Sequence, residues 1–174
     1  NPAALKANLR ELSKGAMVIL DSDEFTKRNL EKVGFATNPL EDGSLDSYEI
    51  HAIPLTSMTV TALEGLGITR KEAERSKNMF ALGFLTWMYH RPTAPTEDFL
   101  KSKFGKKPLI LEANLTAFRK GWDFGETSEE FKSSYEVPPA KMEPGTYRNV
   151  SGNTALAWGM IAAAKQTGLQ LFLG

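Results

Sequence analysis

The sequence contains no cysteine, and this absence removes several kinds of chemistry at once. With Cys 0 among its 174 residues, the chain forms no disulfide and supplies no thiolate to an iron–sulfur cluster. It also has no cysteine nucleophile. Because a cysteine-free chain suits a reducing compartment, we expect a cytoplasmic protein.

An excess of charge of one sign is also missing. Lys+Arg and Asp+Glu both number 21, and the longest basic stretch, KSKFGKK at residues 101–107, is short. Nucleic-acid binders and anionic-membrane binders need larger basic patches, so we expect neither partner. No apolar run approaches the roughly 20 residues that span a bilayer. A hydrophobic fraction of 41% is typical of a globular chain, and 174 residues suit one domain or one and part of a second.

Motifs for metal and phosphate binding are absent as well. The sequence has no H-x-x-H, no H-E-x-x-H, no G-x-x-x-x-G-K-[ST] and no G-x-G-x-x-G. A Ser/His/Asp triad stays open, but no G-x-S-x-G elbow supports it. His51 in a predicted strand and His90 at a predicted helix end are interpreted as structural. We therefore predict no metal site and name no catalytic residue.

The hydrophobic patterns that are present predict a layered α/β domain with a mainly parallel sheet flanked by helices. The apolar run at residues 16–20 is typical of a buried parallel strand, and residues 48–54 alternate as a second strand. Gly83 is predicted to permit close helix packing. Helices are predicted at residues 2–14, 24–33, 56–66, 70–89, 96–104 and 109–120, the first capped by Asn1, the second by Asp23 and the fifth by Thr96.

Composition changes after Trp122. Residues 123–145 are rich in acids, Ser, Pro and Gly, which predicts a linker. A helix at 155–166 and a strand at 169–173 follow, and they have no sheet of their own here. We therefore divide the chain into a domain at 1–124, a linker at 125–147 and the start of another domain at 148–174. Both ends are expected to be cut from a longer polypeptide.

Acidic residues follow the first predicted strand. Polar groups at the carboxyl ends of parallel strands often line a ligand crevice, which makes Asp21 and Asp23 candidates for ligand contact. Helix capping is the favoured alternative for both. Lys77 and Asn78 lie on the helix predicted at 70–89, where a solvated face is the alternative.

Several stretches together resemble a known family. The stretches are NPAAL at 1–5, KGAMVILDS at 14–22, IPLT at 53–56, SKNMFALG at 76–83, KFGKK at 103–107 and EANLTAFRKG at 112–121. Their order resembles the second half of the gamma domain of 2-oxoacid:ferredoxin oxidoreductases. VSGNTALAWG at 150–159 resembles the opening of the pyrimidine-type thiamine domain of the alpha subunit. A gamma domain followed by that opening resembles the fused enzymes, which include those acting on 2-oxoglutarate.

The resemblance implies an oxidoreductase complex that decarboxylates a 2-oxoacid onto coenzyme A and reduces ferredoxin. The complex would use thiamine diphosphate, Mg and an iron–sulfur cluster, with a beta subunit as partner. The family's glycine-rich loop would precede Asn1, and its Tyr-Pro-Ile-Thr-Pro motif would begin after Gly174, so the isolated chain is expected to be inactive. Cofactor-binding crevice candidates are Asn1, Asp21, Lys77 and Asn78. The cut edges are expected to favour a homo-oligomer.

Two alternatives remain open at this point. The first is a stand-alone α/β module that binds coenzyme A or a nucleotide-like ligand. The second is a scaffold domain with neither activity nor ligand. Direct coenzyme A binding would favour the first of these, and capture of a partner without ligand binding would favour the second.

Overall fold

A computed structural model describes residues 1–131 and 134–172. The chain divides into two compact units, Asn1–Val137 and Pro138–Gly174. The domain limits predicted from the sequence, with a linker at 125–147, stay a prediction.

The first unit contains a two-stranded parallel sheet. Strand β1 spans Met17–Asp21 and strand β2 spans Glu49–Ile53. Their register runs from Met17 opposite Glu49 to Asp21 opposite Ile53, so both strands end at the same edge. This confirms both predicted strands and their parallel arrangement.

Two helices flank β1 in the sequence. Helix α1 spans Pro2–Asn8, and the Asn1 side chain accepts a hydrogen bond from Ala4 N at 2.9 Å, as predicted for a cap. A 3₁₀ turn follows α1, so the helix is shorter than the predicted 2–14. Helix α2 spans Lys27–Lys32, and its cap is Thr26. The prediction of Asp23 as that cap is wrong, because Asp23 lies in a 3₁₀ turn before the helix.

The helix predicted at residues 70–89 is in fact two helices. Helix α3 spans Leu55–Ala62, helix α4 spans Arg70–Glu74 and helix α5 spans Lys77–Met88. The α-helix is interrupted at Arg75 and Ser76, although both residues keep right-handed helical backbone angles. Because neither residue is Gly or Pro, the sequence carries no signal for this interruption.

Helix α6 spans Ala94–Phe104 and helix α7 spans Pro108–Thr127. Helix α6 begins before Thr96, so the prediction of Thr96 as its cap is wrong. Helix α7 continues seven residues beyond the predicted end at Lys120. Two glycines in this extension, Gly121 and Gly125, are buried and face other parts of the fold, so they do not end the helix.

Helices α5 and α7 pack backbone to backbone. A Cβ atom on Gly83 would lie 1.8 Å from the carbonyl oxygen of Phe118. This confirms the predicted packing role of Gly83. On the outer face of α5, Leu82 and Leu85 are each 38% exposed.

The first unit is held together by three hydrophobic clusters. One lies beneath β1 and α1, one lies between α5 and α7, and one joins the end of β2 to α5. Their buried members are Leu5, Leu20, Phe25, Leu30 and Leu45 in the first; Leu63, Ala73, Phe80, Ala113 and Ala117 in the second; and Ile53, Phe84, Met88 and Phe131 in the third.

The second unit contains helix α8, which spans Gly152–Thr167. The Ser151 hydroxyl accepts from Thr154 N, and Gly168 ends the helix with a φ of 71°. The helix thus begins three residues before the predicted 155 and ends one residue after the predicted 166. Residues 169–172 have no regular secondary structure, so the predicted strand is wrong there; a strand needs a neighbour to pair with. The rest of that prediction lies outside the described residues. Of the helices in the described ranges, none combines the length and apolar character that crossing a lipid bilayer demands.

Candidate functional site

Polar side chains gather at the carboxyl edge of the sheet. Asp21 is the last residue of β1 and is buried. Its Oδ2 accepts a hydrogen bond from the Thr56 hydroxyl at 2.7 Å, and its Oδ1 accepts from Thr56 N at 3.3 Å. Because Thr56 lies in the first turn of α3, this pair joins the end of β1 to the helix that follows β2.

Asp23 makes a second connection of the same kind. Its carboxylate accepts from Ser57 N at 2.7 Å and from the Ser57 hydroxyl at 3.0 Å. The first amides of a helix have no partner within the helix, and negative charge is favourable there. Asp21 and Asp23 therefore cap α3, whereas the sequence had suggested that they cap the helix directly after them.

Lys77 closes the cluster from the first turn of α5. Its Nζ donates to Asp21 Oδ2 at 3.3 Å, to the Thr56 hydroxyl at 3.2 Å, and to the Glu24 carboxylate. Burial acts to lower the pKa of Lys77, but the hydrogen bonds with Glu24 and Asp21 outweigh it and raise that pKa above its ordinary value. Lys77 is therefore a cation already committed to two carboxylates.

Asn1 lies outside the hydrogen bonds of this cluster. It lines a cavity of about 170 Å³ together with Glu24, but its side chain accepts from Ala4 N at 2.9 Å. Asn78 is exposed, and its side chain makes no hydrogen bond within the described residues. Of the four predicted residues, the structure thus brings Asp21 and Lys77 together and leaves Asn1 and Asn78 outside their bonds.

These side chains cross-link the end of β1 to α3 and α5. The ammonium group of Lys77 bonds to the carboxylates of Asp21 and Glu24, whereas the carboxylate of Asp23 bonds to Ser57. Within the described residues no three His, Cys, Asp or Glu side chains are arranged to hold a metal ion. Sequence reasoning missed Thr56 and Ser57. The available signal was their position directly after Pro54 at the end of the neighbouring parallel strand.

The two histidines lie elsewhere. His51 is buried in β2, with Nδ1 3.2 Å from Glu130 Oε1 and Nε2 3.0 Å from Glu49 Oε1. Its ring also contacts that of Phe131 at a centroid distance of 4.4 Å. His90 Nε2 lies 2.9 Å from the hydroxyl of Ser134. Each histidine ties a helix or strand to the segment after α7, in line with the structural roles predicted for both.

Comparison with known families identifies the first unit. The family described as pyruvate ferredoxin/flavodoxin oxidoreductase matches residues 1–124. The chain belongs to this family. The curated relatives and the solved structure that match are likewise described as oxidoreductases or their subunits. They give no support to the alternative of a stand-alone binding module.

Two curated relatives and one solved structure are similar to the chain. It is 53% identical over all 174 residues to 2-oxoglutarate oxidoreductase subunit KorA of Mycobacterium tuberculosis, and it covers 27% of that protein. It is 23% identical over 109 residues, 63% of the chain, to 2-oxoacid:ferredoxin oxidoreductase 1, subunit alpha, of Aeropyrum pernix, of which it covers 17%. The chain thus spans about a quarter or less of these relatives.

The solved structure supports the fold of this oxidoreductase family member. It is a 2-oxoglutarate:ferredoxin oxidoreductase from Magnetococcus marinus with 2-oxoglutarate, coenzyme A and succinyl-CoA bound. The TM-score is 0.51 and the identity 22%, over 79% of this chain and 21% of that one. At this identity the likeness establishes a shared α/β fold.

The cofactors that the resemblance implies do not fit the residues present. An iron–sulfur cluster needs thiolates, and the chain has no cysteine. Magnesium with a diphosphate takes one or two carboxylates together with phosphate oxygens, and Asp21 and Glu24 are already bonded to Lys77. The only cation in the polar cluster, Lys77, is already paired with carboxylates. No step of a reaction is therefore assigned to groups of this chain.

Proposed function

We propose that this chain is part of the alpha subunit of a 2-oxoacid:ferredoxin oxidoreductase that acts on 2-oxoglutarate. The enzyme would convert a 2-oxoacid and coenzyme A to acyl-CoA and CO₂. The two electrons released would pass through an iron–sulfur cluster to ferredoxin. The observation that carries this proposal is the 53% identity along the whole chain to the Mycobacterium tuberculosis subunit.

The proposal divides the chain as the sequence predicts. Residues 1–124 would belong to a gamma-type domain, 125–147 to a linker and 148–174 to the start of a pyrimidine-type thiamine domain. A beta subunit would bring thiamine diphosphate, Mg and the iron–sulfur cluster, in the cytoplasm. Exposed apolar side chains on α8, among them Leu156 and Trp158, support contact with further polypeptide, whether from the same enzyme or in a homo-oligomer.

The polar cluster would serve that enzyme chiefly as a fixed corner of the gamma-type domain. Asp21 hydrogen-bonds with Thr56 and Lys77, and Lys77 also bonds with Thr56 and Glu24, which supports a role in holding β1, α3 and α5 in place. Contact with coenzyme A by Asn1, Asp21, Lys77 or Asn78 stays a prediction. Of these four, the exposed Asn78 has the side chain best placed to meet a ligand from outside the cluster.

The test uses the complete alpha subunit that contains this sequence, produced together with its beta subunit. Purified enzyme with thiamine diphosphate and Mg should reduce a viologen dye only when both 2-oxoglutarate and coenzyme A are present. With pyruvate in place of 2-oxoglutarate, kcat/KM should be lower. Faster turnover with pyruvate would contradict the assignment of 2-oxoglutarate.

The 174-residue chain alone provides the matched negative control. With the same substrates and cofactors it should reduce no dye, because the implied thiolate ligands and diphosphate site come from other polypeptide. Turnover by the isolated chain would overturn the proposal that it is one part of a complex.

A further inference from the structure

A second region of the first unit has the form of a ligand site. A cavity of about 420 Å³ lies between the α4–α5 junction and the α6–α7 turn, and it shares no wall with the polar cluster. Its volume falls within the roughly 300–1,000 Å³ typical of small-molecule sites. The apolar part of its wall consists of Ile68, Phe104, Leu109, Ile110 and Ala113.

A hydroxyl-bearing residue lines this cavity. Ser76 is only 3% exposed, and no hydrogen bond of its side chain is found within residues 1–131 and 134–172. Its hydroxyl is therefore available to a polar group of a ligand in the cavity.

Two opposite charges flank that hydroxyl. Glu72 and Arg75 both line the cavity, and their spacing of three residues places them on one face of the chain's helical turn. Arg75 makes no salt bridge in the described part of the chain. Glu72 Oε2 accepts from Thr69 N at 2.9 Å and from the Thr69 hydroxyl at 2.7 Å, which leaves Oε1 available. Those bonds also lower the pKa of Glu72, so it is ionised at neutral pH.

Asn114 adds an acceptor on the opposite wall. Its side-chain amide donates to Ile110 O at 2.7 Å, and this bond leaves the Oδ1 atom to accept from a ligand. The cavity therefore has two donors, the Arg75 guanidinium and the Ser76 hydroxyl. It also has two acceptors, the Glu72 carboxylate and Asn114 Oδ1, and the rest of its wall is apolar.

We propose that this cavity binds an apolar α-amino acid. The carboxylate of the ligand pairs with Arg75 and accepts from the Ser76 hydroxyl. The ammonium group pairs with Glu72, and the side chain lies against Leu109 and Ile110. Such a zwitterion pairs with Arg75 and Glu72 at once. A simple carboxylic acid would pair with Arg75 alone, and a simple amine with Glu72 alone.

The binding test compares three molecules of one shape. The full 174-residue chain, labelled with ¹⁵N, is titrated with L-leucine, with 4-methylpentanoate, which lacks the ammonium group, and with 3-methylbutylamine, which lacks the carboxylate. Leucine should shift the amide signals of Ser76 and Leu109 saturably. Each analogue should bind at least about tenfold more weakly, since it has lost one charge-assisted contact. If the spectrum is poorly dispersed, the same molecules are compared by thermal shift in the two-subunit enzyme.

Variants test the assigned contacts. Arg75→Gln and Glu72→Gln should each weaken leucine binding about tenfold or more, and Glu72→Gln keeps an acceptor for the Thr69 amide. Arg28→Gln, a change at an exposed arginine on α2 outside the cavity, should leave binding unchanged. Equal affinity for leucine and either analogue, or no saturable shift up to about 10 mM, would overturn the proposal.

Discussion

Gly83 and Phe118 meet where α5 and α7 cross: a Cβ atom on Gly83 would lie 1.8 Å from the carbonyl oxygen of Phe118. The contact is reciprocal, because a Cβ atom on Gly121 would lie 1.8 Å from the carbonyl oxygen of Phe80. A Cβ atom would clash with backbone atoms, which cannot move away by a change of rotamer. The close packing of α5 and α7 therefore requires glycine at positions 83 and 121.

Gly83→Ala should destabilise the first unit strongly. The added methyl group forces the two helices apart and disturbs the core around Phe80 and Phe118. We expect a loss of about 3 kcal/mol in the free energy of unfolding, at the upper end of overpacking effects. Urea unfolding followed by tryptophan fluorescence measures this loss, since Trp87 and Trp122 lie on the same two helices.

Gly159→Ala is the matched control for that substitution. Gly159 lies within α8, and a Cβ atom there meets nothing within 4 Å. The change should raise helix stability locally by about 0.5–1 kcal/mol and leave the unfolding of the first unit unaltered. If Gly83→Ala and Gly159→Ala unfold at the same urea concentration, the close helix contact is not as described.

Lys77→Met should leave Asp21 and Glu24 without their shared cation. We expect a loss of about 2 kcal/mol, less than for a fully buried pair because Lys77 is partly exposed. The pKa of Lys77 is raised in the folded chain. The free energy that its charge contributes to folding is therefore fully present below the pKa of lysine in the unfolded chain, about 10.4, and is lost as pH rises through the higher pKa of the folded chain. The difference in unfolding free energy from the parent chain should be constant between pH 7 and 9, about one or more units below that value, and shrink above it.

Lys120→Met tests whether that loss is specific. Lys120 forms a salt bridge with Asp123 at 3.3 Å, but both side chains are more than half exposed. Exposed pairs contribute little, so this variant should lose no more than about 0.5 kcal/mol. Equal losses for the two lysine variants would show that the cluster at the sheet edge does not stabilise the fold.

Glu97 and Arg119 join α6 to α7 through two parallel hydrogen bonds. Arg119 Nε donates to Glu97 Oε1 at 2.9 Å, and its second nitrogen donates to Oε2 at 3.0 Å. A double-mutant cycle with Arg119→Gln and Glu97→Gln should give a coupling of about 1 kcal/mol at pH 7 and less in high salt. The hydrogen bond from Arg119 lowers the pKa of Glu97. The coupling is therefore present above the unfolded value near about 4.3 and should fade as pH drops below it. A coupling that persists unchanged at pH 2, about two units below that value, would contradict this account.

The sequence predicts the local elements of this fold better than the contacts among them. The apolar run before Asp21 and the alternation around His51 predict the two strands, because burial and pleat leave a period in the sequence. The capping of α3 by Asp21 and Asp23 leaves no such period, since it joins residues about 35 positions apart through tertiary structure. The same holds for the interruption at Arg75 and Ser76, since neither residue is a helix breaker.

The candidate residues divide along the same line. The rule that polar groups gather at the carboxyl ends of parallel strands correctly brought Asp21 into the cluster. It did not reveal that Lys77 bonds to the carboxylates of Asp21 and Glu24 and to the Thr56 hydroxyl, because these groups come together only in the folded chain. Nor does any motif mark the cavity beside Ser76, whose walls come from four separate helices or their ends.

Ser76→Ala should change the free energy of unfolding by less than about 0.5 kcal/mol. The Ser76 side chain makes no hydrogen bond in the described residues and does not cap α5. Its removal therefore breaks no hydrogen bond of the fold. Thr69→Ala serves as the comparison, because the Thr69 side chain takes part in a capping box with Glu72 and its loss should cost about 1 kcal/mol. A loss from Ser76→Ala as large as that from Thr69→Ala would mean that Ser76 has a structural partner. If the variant is as stable as the parent chain and also binds L-leucine more weakly, the hydroxyl serves the ligand and not the fold.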